Sequence, residues 1–388
     1  MHTLQQLQSG QLAGMTRLDL GCNLSQFPRE IFELADTLEV LNLSGNQLST
    51  LPDDLPRLKK LKIIFCSNND FTELPAVLGQ CEQLEMIGFR ANRIQTIPAT
   101  ALPLSLRALT LTDNHITTLP DEIGHCAQLQ KLMLAGNRLT ALPASLAGCS
   151  QLELIRIAAN RFAALPEVVL HLPRLAWLAY AGNPFCAELE RRAAMHQIDW
   201  NELEIGVKLG EGASGQIYQA RHGANHVAVK LFKSAVTSDG IPHCEIAASL
   251  AAGAHPNLIA VHGQIANHPE GSDALVLDLI APNYTPLAQP PSLASCTRDI
   301  YHASTTFTPA QAEAIYEGIA SAVNHINSRG LIHGDVYAHN VLCNQDGGAL
   351  LGDFGAASFC SPVHRQALLE IEQRALAHLH AELSARTI

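Results

Sequence analysis

Residues 41–52 read LNLSGNQLSTLP, and this stretch decides the fold of the first half of the chain. Its apolar positions are Leu41, Leu43, Leu48 and Leu51, with Asn46 between the pairs and Pro52 closing the segment. The same pattern returns around Asn69, Asn92, Asn114, Asn137 and Asn160. These asparagines are 23 residues apart, with one interval of 22. An imperfect first copy holds Leu18, Leu20, Asn23 and Phe27, and a last one holds Leu178, Tyr180, Asn183 and Phe185, making eight copies. Leucines two apart predict a short strand with one face in a core. An Asn side chain can bond turn backbone where the chain bends. One such unit cannot bury its apolar face alone, so neighbours must stack.

The pattern resembles leucine-rich repeats of the short kind, over residues 1 to about 188. The resemblance implies an α/β solenoid with a parallel sheet on its concave side. Two strand columns would then face that side. One is Val40, Ile63, Met86, Ala108, Lys131, Leu154 and Trp177; the other is Asn42, Phe65, Gly88, Thr110, Met133, Arg156 and Ala179. Both are apolar for positions expected to be exposed, which marks either a surface for a protein substrate or partner or, in part, a face that packs against the second domain. Residues 186–197 have a helical composition, include Arg191 and Arg192, and are expected to cap the solenoid. We place the domain boundary there: residues 1–195 form the solenoid and 196–388 a second domain.

The second domain opens with Gly210-Glu211-Gly212-Ala213-Ser214-Gly215-Gln216-Ile217. Strand-like residues flank this run on both sides and no helix pattern opens at the glycines, which excludes a dinucleotide-binding turn. Val227-Ala228-Val229-Lys230 follows, with Lys230 15 residues after Gly215 and Glu245 15 residues after Lys230. Strand patterns at 227–232 and 274–280, and amphipathic helix patterns at 243–252, 309–329 and 366–385, lie around them. His333-Gly334-Asp335 comes next, Asn340 five residues on, and Asp353-Phe354-Gly355 18 residues after Asp335.

In this order the motifs resemble the protein kinase signature set, over about residues 199–388. Taken whole, the chain resembles a leucine-rich repeat kinase of the bacterial type, an α/β solenoid followed by an α+β bilobal kinase-like domain. By that resemblance it binds ATP and Mg²⁺. Gly210, Gly212 and Gly215, with Glu211, Ala213, Ser214 and Gln216 between them, cover the phosphates. Leu209, Ile217 and Ala228 wall the adenine. Lys230 contacts the phosphates and pairs with Glu245. Asp335 takes the acceptor proton, and Asn340 and Asp353 hold Mg²⁺. The resemblance implies transfer of the γ-phosphate to protein Ser, Thr or Tyr hydroxyls. It also admits an ATP-binding pseudokinase scaffold, and, through His-Gly-Asp, a small-molecule phosphotransferase.

There are departures from that pattern. Gly334 stands where most kinases carry Arg, so control by a phosphorylated activation loop is not expected. Tyr337 and His339 occupy loop positions where kinases put a Lys or an Arg. Only one helix pattern follows Asp353, with Glu372 loosely in the place of an aspartate, so a shortened C-terminal lobe is expected.

Composition narrows the remaining classes. The net charge is −11, with −2 in residues 1–198 and −9 in the rest, which excludes a basic nucleic-acid-binding stripe. No run of about 18 apolar residues exists to span a membrane, and residues 1–14 lack a signal-peptide pattern. Ten cysteines without a C-x-x-C pair point away from zinc and toward reduced, buried thiols. A cytoplasmic protein is expected.

Overall fold

A computed structural model describes residues 1–191, 196–212, 214–233, 236–237 and 239–388. The chain divides into two compact units, residues 1–155 with 160–175, and residues 156–159 with 176–388.

The first unit is the repeat array. Its strands are β1 (Arg17–Asp19), β2 (Val40–Asn42), β3 (Ile63–Phe65), β4 (Met86–Gly88), β5 (Ala108–Thr110) and β6 (Lys131–Met133), with β7 (Leu154–Arg156) running into the second unit. From β1 to β6 each strand pairs in parallel with the next, one residue opposite its repeat equivalent. The return legs are short 3₁₀ helices that begin directly after Pro28, Pro75, Pro98, Pro120 and Pro143. A proline there fixes φ and gives up no ladder donor. These legs stack closely enough that a Cβ on Gly124 would sit 2.3 Å from the Ser145 carbonyl oxygen.

The asparagines do more than close their own turns. Asn46 Nδ2 donates to Leu43 O in its own repeat and to Leu20 O in the preceding one, both at 2.8 Å. Its Oδ1 accepts from the Leu24 amide at 2.9 Å. The ladder therefore bonds each repeat to its neighbour and satisfies backbone that stacking would otherwise bury unpaired.

The strand columns are less exposed than their alternation implies. Met86, Ala108 and Leu154 are buried, while Val40, Phe65, Thr110 and Lys131 are half-buried. Part of the reason lies within the sheet: the Phe65 ring covers Gly88, 2.5 Å from where a Cβ would stand. Side chains in register at strand spacing shield one another.

The second unit begins with residues 156–159 and β8 (Trp177–Ala179), which are tied by the Ile157 amide donating to Ala179 O at 2.8 Å. A helix covers Ala187–Arg191, and the rest of the expected cap through Met195 lies outside the described residues. Gln197 is not helical: Gln197–Asp199 form β9, which pairs in parallel with Gln264–Ala266 because Ile198 buries into the neighbouring core. That core belongs to a six-stranded sheet in the order β10 (Leu203–Glu211), β11 (Gly215–His222), β12 (Asn225–Phe232), β14 (Ala274–Asp278), β13 (Val261–Ala266), β9. Helix α1 (Pro242–Ala252) packs beside it, buried on most of its surface and stopped by Gly253 at φ +67°. The second lobe rests on α2 (Pro309–Ser328) and α3 (Arg365–Ser384). Thr308 and Gln311 form a capping box on α2, with Pro309 in its first turn.

Candidate active site

Lys230 lies on β12, opposite Ile217 of β11 and Leu275 of β14. Its Nζ is 2.5 Å from Glu245 Oε1 on α1 and 3.8 Å from Asp353 Oδ1. Both Lys230 and Glu245 are buried, which is tolerable because each charge has a partner. Burial pushes the Glu245 carboxyl up to about 7 against the pull of Lys230. Burial opposes the lysine's charge, yet Asp353 and Glu245 outweigh it and raise its affinity for the proton.

This pair borders a cavity of about 710 Å³, counting its solvent-open mouth. Gly212, Ser214, Gly215 and Ile217 form one wall, and Gly352, Asp353 and Phe354 lie across it. Ile259, Val261, Leu275 and Leu277 supply an apolar interior that no sequence motif named. The apolar run 274–280 marks the strand of two of them, and the two-residue strand period puts Leu275 and Leu277 on one face of it. Gly210, Glu211, Leu209, Gln216 and Ala228 stand outside that lining. Leu209 is half exposed, and Ala228 is buried in register with Leu277. Glu211 forms ion pairs with Lys208 and Lys233, which hold its carboxyl down at about 2. Gln216 takes a hydrogen bond from the Tyr218 hydroxyl at 2.8 Å. Ala213 lies outside the described residues. The Gly212 amide donates to Gly215 O at 2.9 Å, closing the β10–β11 turn over the cavity. A Cβ on Gly215 would meet Leu231 O at 2.4 Å, so that glycine is required by close backbone approach.

Asp335 follows the short strand Leu331–Ile332, and its loop is anchored from below. Glu372 of α3 accepts from the His333 amide at 2.5 Å and the Gly334 amide at 3.1 Å. Burial pushes this carboxyl up to about 7 despite those two donors. His333 is fully buried and donates from Nε2 to Gly352 O at 2.9 Å, with its ring 5.1 Å from that of Phe354. Gly334 sits at φ +72°, and a Cβ there would lie 2.4 Å from Leu178 O and 2.8 Å from Ala356 O. No larger residue fits there unless this backbone shifts.

The two oxygens of Asp335 are separately engaged. Asn340 Nδ2 donates to Oδ2 at 2.8 Å, and the Arg156 guanidinium is paired with Oδ1. Arg156 also donates from Nε to Asp239 Oδ1 at 2.7 Å and from Nη1 to Gly334 O at 3.1 Å. Sequence reasoning placed Arg156 only in a strand column and missed this role. Burial raises the Asp335 carboxyl, and Arg156 opposes that rise. Tyr337 stacks on Trp177, with centroids 4.0 Å apart and planes 11° apart. His339 is bonded through Nδ1 to Asp299 at 2.7 Å.

Asn340 and Asp353 are brought close, since the Gly352 amide donates to Asn340 O at 3.0 Å. Asp353 adopts the left-handed conformation at φ 54°, accepting from the Gly355 amide at 3.2 Å. Because the Asn340 Nδ2 is committed to Asp335, its amide oxygen is turned from that carboxylate. An amide oxygen and a carboxylate are hard donors that fit a small divalent cation such as Mg²⁺.

A family described as "Protein kinase domain" matches residues 203–371. Families described as "Leucine rich repeat" match 82–139 and 104–162, and "Leucine Rich repeats (2 copies)" matches 36–78. The chain carries leucine-rich repeats and a protein kinase domain. Among its relatives is Aurora/IPL1-related protein kinase 2 of Caenorhabditis briggsae, 33% identical over 166 residues, 40% of this chain and 48% of that one. Another is the Dictyostelium discoideum protein named "Probable inactive serine/threonine-protein kinase roco10", 31% identical over 125 residues, 31% of this chain and 5% of that one. The chain thus spans about half the length of the first and a small part of the second. A solved leucine-rich repeat protein of Leptospira interrogans is 31% identical and covers 48% of each chain, with a TM-score of 0.44. Among the described residues no helix is long and apolar enough to cross a membrane.

Proposed function

We propose that this chain is an ATP- and Mg²⁺-dependent protein kinase, residues 196–388 performing the transfer and residues 1–195 presenting the protein substrate or a partner. The observation that carries the reading is the buried Lys230–Glu245 pair, with Asp353 3.8 Å from the same lysine, at the edge of a cavity roofed by a glycine turn. An apolar interior suits a purine, and a lysine fixed by a carboxylate at its mouth suits phosphate oxygens. Gly210, Gly212 and Gly215, with Glu211, Ser214 and Gln216, form the phosphate cover, and Ile217 walls the base. Asp335 orients the acceptor hydroxyl and receives its proton. Asn340 and Asp353 hold Mg²⁺, which neutralises charge on the phosphates. Positioning and charge neutralisation are most of what phosphoryl transfer needs.

The half-buried Val40, Asn42, Phe65 and Thr110 mark the concave face on which the repeats engage that protein. A reducing compartment such as the cytoplasm suits ten free cysteines.

The test is transfer from labelled ATP with Mg²⁺ to the protein itself or to a basic protein mixture, with sites read by mass spectrometry. Asp335→Ala is expected to abolish transfer while leaving the nucleotide-induced rise in melting temperature. A melting rise in the unmodified protein without any transfer would establish a nucleotide-binding scaffold instead.

A further inference from the structure

Asp335 is held at one oxygen by Asn340, and the cation at its other oxygen is not supplied by its own loop. At the two loop positions where a cation is expected, Tyr337 is stacked on Trp177, and its buried hydroxyl has no hydrogen-bond partner among the described residues. His339 has its Nδ1 and its amide both bonded to Asp299. The guanidinium that reaches Asp335 Oδ1 comes instead from Arg156, 179 residues earlier.

Three features distinguish this contact from an ordinary ion pair. Arg156 is 2% exposed, so it is committed to the interior. Its three acceptors are spread over two nitrogens of the fork and the Nε: Asp335, the Gly334 carbonyl and Asp239. A lysine, a point charge, has no such reach. The segment that carries it is bonded to the same loop, because Trp177 Nε1 donates to Val336 O at 3.1 Å and Ile157 holds Ala179. Asp239 continues the path toward the cavity: its Cβ lies 3.7 Å from where a Cβ of Gly355 would stand, two residues past Asp353.

We infer that Arg156 is the positioning cation of the transfer site, fixing Asp335 from outside the catalytic loop. The inference rests on the kinase reading above. In the step it serves, the acceptor oxygen forms a bond to the γ-phosphorus and the bond from that phosphorus to the β–γ bridging oxygen breaks. ADP leaves, and the hydroxyl proton passes to the Asp335 carboxylate and then to solvent. Arg156 touches none of the reacting atoms; it sets the direction in which Asp335 Oδ1 and Oδ2 point.

The experiment uses the full chain with Arg156→Lys, Arg156→Gln and Arg156→Ala. Melting with and without ATP and Mg²⁺ reports folding and nucleotide binding, and steady-state transfer reports kcat and KM for ATP separately. The expected order of kcat is Arg above Lys above Gln. Arg156→Gln should lose about 100-fold, the scale for one fixed charged donor, with KM for ATP within threefold. Added methylguanidine should restore transfer to Arg156→Ala, a rescue that a purely structural role would not give. If Arg156→Ala does not fold, the order among Arg, Lys and Gln decides alone. Transfer in Arg156→Gln equal to or faster than the unmodified protein overturns the inference and makes the contact an inhibitory clamp. Absence of transfer in the unmodified protein overturns the kinase reading itself, and the two failures are told apart by that control.

Discussion

Asn114 gives the sharpest test of how the repeat array is held together. Its side chain is 3% exposed. Nδ2 donates to Phe89 O at 2.9 Å and Leu111 O at 3.1 Å, and Oδ1 accepts from the Ile94 amide at 2.9 Å. In Asn114→Ala the two carbonyls keep a second donor each, from Asn92 and Asn137. The Ile94 amide loses its side-chain acceptor and is left buried. Losing the two shared bonds costs about 0.5–1 kcal/mol each, and an orphaned buried amide costs about 1–3 kcal/mol. The expected destabilisation is therefore about 2–5 kcal/mol, concentrated in the repeats on either side. Asn114→Asp keeps an acceptor for Ile94 but sets a charge against the Phe89 and Leu111 carbonyls, and should be at least as damaging. Urea unfolding followed by circular dichroism gives the free energy, and amide exchange localises it. A loss below about 1 kcal/mol with undiminished protection at Ile94 would refute the account of the asparagine as the bond between repeats.

Three further outcomes follow from the titratable groups and thiols. Glu372 holds its proton up to about 7 when folded, against 4.5 for an ordinary glutamate, so its contribution to stability is present at low pH and is lost as pH rises through that window. Glu372→Gln should remove that part of the slope, at most about 3 kcal/mol, read from urea midpoints between pH 5 and 8; an unchanged slope contradicts it. Lys230→Met leaves Glu245 without its buried partner; Glu245 is already near 7, so the melting loss should be small at pH 6 and larger at pH 8, with the nucleotide-induced shift gone at both. Cys66, Cys126 and Cys149 are buried with thiols pushed up by desolvation, so thiol reagents at pH 8 should leave them unlabelled until denaturant is added.

The features that sequence discloses here are those written in spacing. Intervals of 23, with one of 22, place the ladder asparagines from Asn46 to Asn183, while the same step also lands on Asn23, which is exposed. The intervals among Gly215, Lys230 and Glu245 place a loop beside a strand lysine and a helix carboxylate, and those two side chains meet at 2.5 Å. What spacing cannot carry is the identity of partners far apart in the chain. Arg156 is the one charged residue in a mostly apolar column, and nothing local distinguishes a guanidinium facing solvent from one paired with Asp335. Gln197 follows a helical composition, yet Ile198 finds a core beside Ile265 and draws its neighbours into a strand. Glu372 matched a motif loosely, and its role became visible only in the two amides it accepts. Alternation predicts exposed strand columns, and many of their residues are not exposed; part of the reason is shielding by in-register neighbours, which depends on rotamers such as that of Phe65 over Gly88.

Gly334 carries a consequence for how this protein can change. A Cβ there would stand 2.4 and 2.8 Å from the Leu178 and Ala356 carbonyl oxygens, and the residue's φ is +72°, so no single substitution can place an arginine at that position without moving backbone. Placing one would require the backbone at Leu178 and Ala356 to withdraw and residue 334 to leave the left-handed region. The constraint is set by backbone from two distant segments, so it cannot be relieved by a change at residue 334 alone. An engineer who wants a side chain at residue 334 would have to move the backbone at Leu178 and Ala356 first.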